Sequence, residues 1–194
     1  MSPILDSIRA EYERYHALAE RALAQVPDAM LSAPGPSGGN SLTIIAWHLA
    51  GNLRSRFTSF LTEDGEKPWR NREEEFAARV VSREDLHAHW TAGWATLYEA
   101  LTTLTDADLQ RTVTIRGQPL HVHDALHRSL AHAGYHVGQL VYLAHAHRGT
   151  AWEYLSIPPG GSAAYNAAPS KETPGAHIAT LRGRPSAGAD DPAV

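Results

Sequence analysis

The chain has no cysteine among its 194 residues. That removes disulfides, thiolate metal ligands and a cysteine nucleophile, so any metal held here rests on histidine, carboxylate or water. An excess of positive charge is also missing: 17 Lys and Arg stand against 21 Asp and Glu, a formal net charge of −4. A mildly acidic chain without a basic stripe is a poor partner for nucleic acid or an anionic membrane surface. No apolar run approaches the length of a membrane span, and the opening Met1-Ser2-Pro3-Ile4-Leu5-Asp6 lacks an apolar signal core. A soluble, cytoplasmic protein is expected. There is no internal repeat, and the length suits one well-buried domain rather than two.

Histidine is what the chain has in plenty, with 12. The run Ala131-His132-Ala133-Gly134-Tyr135-His136 carries two of them four residues apart. On a helix that spacing puts both imidazoles on one face, where one divalent ion can bind both. His48, in the apolar segment Ile44-Ile45-Ala46-Trp47-His48-Leu49, is the best candidate for a third ligand. Two ligands from one helix and one from its neighbour leave one side of an ion open, as in catalytic sites. Composition alone yields roughly 0.7 His pairs at spacing four, however, and His123 and His127 form a second pair. The two pairs flank the apolar stripe Leu126, Leu130, Ala133, Val137, Leu140 and Ala144, so periodicity does not choose between them.

Apolar residues from Pro3 to about Val26 recur at spacings of three and four, which predicts a helix ended by Pro27 and the Gly/Pro-rich stretch Ser32 to Gly39. Asn40 or Ser41 can cap a second helix running to about Leu61, with His48 and Asn52 one turn apart beside its apolar stripe. Residues 62 to 81 read as an irregular link. Ser82 and Asp85 form a capping-box-like start for a third helix reaching about Leu104. Arg111 to His121 reads as a short hairpin turned at Gly117-Gln118, and a long helix follows from about His123 to Arg148, stopped by Gly149. The expected fold is all-α, a four-helix bundle with a small β-hairpin insertion before the last long helix, spanning residues 1–168. Residues 169–194, rich in Ala, Gly, Pro and Ser, are expected to be a disordered tail.

The segments Trp47-His48-Leu49-Ala50-Gly51-Asn52, Asp64-Gly65-Glu66-Lys67-Pro68-Trp69-Arg70 and Ser156-Ile157-Pro158 to Asn166, with the His132/His136 pair, resemble the DinB-like superfamily of metal-binding four-helix bundles. They are similar to a bacterial branch described only as a domain of unknown function. The likeness covers roughly residues 1 to 166, and it implies that His48, His132 and His136 form a three-histidine metal site. Relatives include bacillithiol S-transferases and a mycothiol-dependent maleylpyruvate isomerase, so the resemblance implies a metal-dependent thiol S-transferase or a hydrolase acting on a small molecule. A non-catalytic metal-binding protein, acting in stress response or as an interaction partner, is the alternative. Zn or Ni suits a donor set of three imidazoles, and a low-molecular-weight thiol would be the cosubstrate.

Asn52, Tyr135 and Gln139 fall near these ligands by helical spacing and are candidates to orient a bound water or substrate. Arg54, Arg56, Arg70 and Arg72 cluster near the second helix's end, where solvated surface charge competes with a role in binding carboxylates. Ser129 and Asp124 stand in nothing like a nucleophile elbow, which discounts serine hydrolysis. Gly134 and Gly138, together with five tryptophans, point to a homodimer.

Overall fold

The computed structural model describes residues 3–183 and is mostly helical. The elements in chain order are α1 (Pro3–Leu23), α2 (Asp28–Leu31), α3 (Leu42–Phe57), α4 (Arg72–Glu75), α5 (Arg83–Thr103), β1 (Thr112–Ile115), β2 (Gln118–His121), α6 (Val122–Arg148), α7 (Ser162–Ala167) and α8 (Pro174–Arg182). Local chemistry sets the starts. Ser41 Oγ accepts from the Ile44 amide at 3.2 Å to open α3, and Ser82 Oγ accepts from the Asp85 amide at 3.0 Å to open α5. Such caps satisfy amides that have no partner within the helix. Gly149, at φ 59°, ends α6 in a conformation that costs an L-residue energy.

Four long helices share the core: α3 lies against α5, α1 against α6, and α3 also meets α6. Trp94, Leu97, Leu49, Leu53, Leu126 and Leu140 are fully buried in that core. Tyr12 ties α1 to α6, its hydroxyl donating to the Leu126 carbonyl at 3.0 Å, while its ring meets Phe57 and Trp94 edge-on with centroids 6.4 Å away in each case. Gly93 lets α5 approach α3 closely, since a β-carbon there would sit 2.6 Å from the Ala50 carbonyl oxygen.

The antiparallel hairpin pairs Thr112 with His121 and Ile115 with Gln118, and turns through Arg116 and Gly117, both at positive φ. Two successive residues of that kind fit the right-handed strand twist. Asp64 fastens the turn to the loop after α3: its carboxylate accepts from the amides of Arg116 at 2.8 Å, Gly117 at 2.7 Å and Glu66 at 2.7 Å. The Gly65 amide in turn donates to the Thr114 carbonyl at 2.8 Å.

The hairpin turn expected at Gly117-Gln118 falls one residue earlier, because Gln118 already pairs with Ile115 in the ladder, and two further expectations need correction. Residues 62 to 81 are not irregular throughout, because Asn71 Oδ1 caps the short α4 by accepting from the Glu74 amide at 3.3 Å. The stretch after 169 is not a structureless tail as far as residue 183. Thr173 Oγ1 caps α8 through the Ala176 amide at 3.2 Å, Pro174 occupies its first turn, and the helix lies along α1 with Ile178 and Leu181 buried. Two large apolar side chains on one face outweigh the small-residue composition around them, each contributing about 1.5–3 kcal/mol when removed from water. Residues 184–194, the rest of that expected tail, lie outside the described residues.

Candidate metal centre

His48 lies midway along α3, and His132 and His136 occupy successive turns of α6 where the two helices meet. One ring nitrogen from each falls within 4.8 Å of those of the other two, which makes this the one three-residue cluster fit to hold a metal ion among the described residues. His132 Nε2 is 3.1 Å from His136 Nε2. Two nitrogens each about 2.0–2.1 Å from a shared tetrahedral ion would be about 3.3–3.4 Å apart, so that pair already stands close to ligand spacing. His123 and His127 belong to no such cluster; His123 Nδ1 instead bonds the Leu109 carbonyl at 2.9 Å.

The rings are held from behind. His48 is buried and its Nδ1–H donates to Glu75 Oε2 at 2.8 Å. Glu75 is in turn gripped by Arg70, whose Nε and Nη2 donate to its two oxygens at 2.8 Å each. Burial by itself would raise the Glu75 carboxyl, but the bonds from Arg70 and His48 hold it below its ordinary value, as a carboxylate. His136 Nδ1–H donates to Gln139 Oε1 at 2.8 Å. Both partners leave the Nε2 lone pair of their histidine directed at the cluster. The Glu75–His48 bond is the carboxylate–histidine arrangement that orients metal ligands and raises their basicity, and Gln139 fixes the orientation of His136 through a neutral amide.

The electrostatics suit a cation. Burial first, and then the neighbouring His136, His48, Arg56 and Arg70, push the His132 imidazole down to about 3, and burial likewise lowers His136. At neutral pH both rings are neutral donors, so a metal displaces no proton from them.

Of the three residues expected behind the ligands, Gln139 bonds one of them and Asn52 lines the adjoining cavity. Tyr135 is 64% exposed, with only its ring edge near His136. Arg54 lies outside the centre, its guanidinium over the exposed Trp69 ring. Glu75 was not singled out by sequence reasoning. The signal was faint: a possible Asn71 cap before a charged run, with nothing to say that the third glutamate would turn inward 27 residues from its histidine.

A cavity of about 220 Å³ opens beside His48 and His132, between α3, α6 and the hairpin. Every Asp, Glu, His or Cys that joins the metal cluster is already among the three histidines, so no fourth side chain of those types closes the site among the described residues. No helix among the described residues is long and apolar enough to cross a membrane.

No curated protein and no solved structure matches the chain. Residues 2–161 match the family described as Protein of unknown function (DUF1572). That match covers most of the sequence, and the chain therefore belongs to this family.

Proposed function

We propose that His48, His132 and His136 bind one divalent metal, Zn or Ni by the softness of three imidazoles, and that the protein is an enzyme acting on a small molecule. The observation that carries this reading is the Glu75–His48 bond beneath an open cavity. A buried carboxylate, held by Arg70 and accepting from one imidazole, serves ligand geometry, and structural metal sites are closed by a fourth protein ligand whereas catalytic ones are not. A divalent ion held there would act as a Lewis acid, lowering the pKa of a thiol or water brought to it. The chain's own contribution is to hold three imidazole donors on one side, exclude bulk water with α3 and α6, and leave the cavity side for substrate.

The same reading places the four long helices in the DinB-like bundle class and makes a low-molecular-weight thiol the favoured cosubstrate, with hydrolysis as the alternative reaction. It includes a cytoplasmic homodimer, supported by Tyr135 and Tyr142, which stand 64% and 72% exposed on α6 beside the open Gly138. The test is metal analysis of protein purified without an affinity-tag column, followed by thiol conjugation and hydrolysis assays. One equivalent of metal lost in a His132→Ala/His136→Ala variant is the expected result. A metal-loaded protein that turns over no electrophile with bacillithiol, mycothiol, glutathione or water would move the reading to a non-catalytic metal-binding protein.

A further inference from the structure

Beside the three histidines the cavity wall carries, among the described residues, five arginines, Arg56, Arg70, Arg72, Arg116 and Arg128, and no acidic residue. Two carboxylates among these arginines, Glu75 and Glu66, are each shared between basic side chains. Glu75 is held by Arg70 and His48, and Glu66 takes both terminal nitrogens of Arg56 at 3.1 Å and Arg116 Nε at 3.0 Å. The formal charge carried by the wall itself is therefore all positive.

Two of these arginines, Arg56 and Arg70, are held in buried or part-buried bonds, and the other three are more exposed. The Arg70 side chain is only 2% exposed, yet its Nη1 has no hydrogen-bond partner among the described residues, with Glu66 Oε2 standing 3.7 Å away. A buried guanidinium N–H left unmade costs about 1–3 kcal/mol, which an incoming oxyanion would recover. Among the described residues Arg128 forms no ion pair, Arg72 ion-pairs with the exposed Glu73 and lies over the Phe76 ring, and Arg116 keeps its terminal nitrogens beyond its Nε bond. Their side chains at the rim contrast with the anchored pair below.

The helices order these groups along the cavity. His48, Asn52 and Arg56 follow at four-residue steps on α3, and Arg128 precedes His132 by four on α6. At 1.5 Å per residue the arginines stand about 6–12 Å along the helix axes from the ligand histidines. A volume near 220 Å³ takes an oxyanion and a few further atoms, far short of a nucleotide.

We infer that this cavity is an anion-binding pocket, and that the small molecule used at the centre proposed above carries a carboxylate or phosphate group, bound by Arg70 with Arg116 and Arg128, a few bonds from its reacting atom. The substrate class rests on the metal-enzyme reading, but the pocket does not. Planar guanidinium forks match both oxyanions, which is why arginine rather than lysine suits such a wall.

The test uses the full chain, stripped with chelator or reconstituted with zinc, titrated at low ionic strength with inorganic phosphate and with succinate by calorimetry. At least one anion should bind the metal-free protein, and the better of the two identifies the group. An Arg116→Gln/Arg128→Gln variant, both changes being at exposed arms, should weaken that binding about tenfold or more while leaving zinc affinity by chelator competition unchanged. Binding of neither anion to either form, or equal binding to the variant with an unaltered melting temperature, would overturn the pocket. Zinc binding without anion binding defeats only the pocket, and anion binding without zinc defeats only the metal centre.

Discussion

Gly51 and Glu75 compete for one volume: a β-carbon on Gly51 would overlap the Glu75 carboxylate. The absence of a side chain on α3 one turn after His48 is thus what admits the carboxylate that orients it. Gly51→Ala should raise the intrinsic helix propensity of α3 by about 0.8–1 kcal/mol, yet expel Glu75 from its bond with His48. The expected outcome is a folded protein with weakened metal affinity, read by circular dichroism and chelator competition. Unchanged affinity would show that Glu75 does not orient the ligand.

Glu75 itself can be tested more directly. Glu75→Gln keeps the shape but removes the charge, and should lower metal affinity about 10–100-fold. Glu75→Ala should in addition destabilise the fold by about 3–5 kcal/mol, because it strands the buried Arg70 guanidinium. Denaturant titration of both variants separates the two effects.

The helix starts were legible because their signals are local. Ser41 and Ser82 announce their helices within four residues, and Gly149 marks the end of α6 with its own φ. The choice of His132 and His136 over His123 and His127 was not local: it depends on which face of α6 meets α3, and the His48 ring, 4.9 Å from that of His136, supplies the answer. Glu75 and the arginine wall depend on how the loop after α3 folds back under the hairpin. That path is fixed by Asp64, three of whose bonds go to backbone amides, two of them about fifty residues away. α8 had its cap and its proline in view, Thr173 and Pro174, but average composition concealed two buried side chains.

The C-terminal segment is part of the fold as far as α8. Truncation after Ala168 removes Ile178 and Leu181 from their packing on α1 and should cost about 3–6 kcal/mol, with a fall in melting temperature well beyond a few degrees. A chain ending at Gly183 retains the helix and isolates its contribution. Equal melting temperatures for the 168-residue and full-length chains would show that α8 adds nothing.

Asp64 gives the hairpin a pH dependence. The amides of Glu66 and Gly117, with that of Arg116, hold its carboxyl well below the usual carboxylate range. A lowered folded-state pKa contributes stability that is present above the unfolded value, near 4, and is lost as pH falls through the folded one. The stability advantage of the wild type over Asp64→Asn should therefore shrink between pH 6 and pH 3. An advantage that stays constant over that window would mean that the charge is not what holds the turn.

Association is checked by sedimentation. A homodimer at micromolar concentration, dissociated by Tyr135→Glu/Tyr142→Glu, is the expected result, since those rings stand in solvent on one face of α6. A single species of 21.1 kDa would remove the dimer.

The fastening of the hairpin by Asp64 bears on how the molecule breathes. A two-stranded ribbon has too little packing to persist alone, so β1 and β2 borrow their order from Asp64 and from α6 behind them. Loss of that one carboxylate's bonds would let the ribbon open as a unit at far less expense than global unfolding. Amide protons of Arg116 and Gly117 should then exchange with solvent faster than those of the helices below them, and the cavity's outer wall would be the molecule's first cooperative unit to yield.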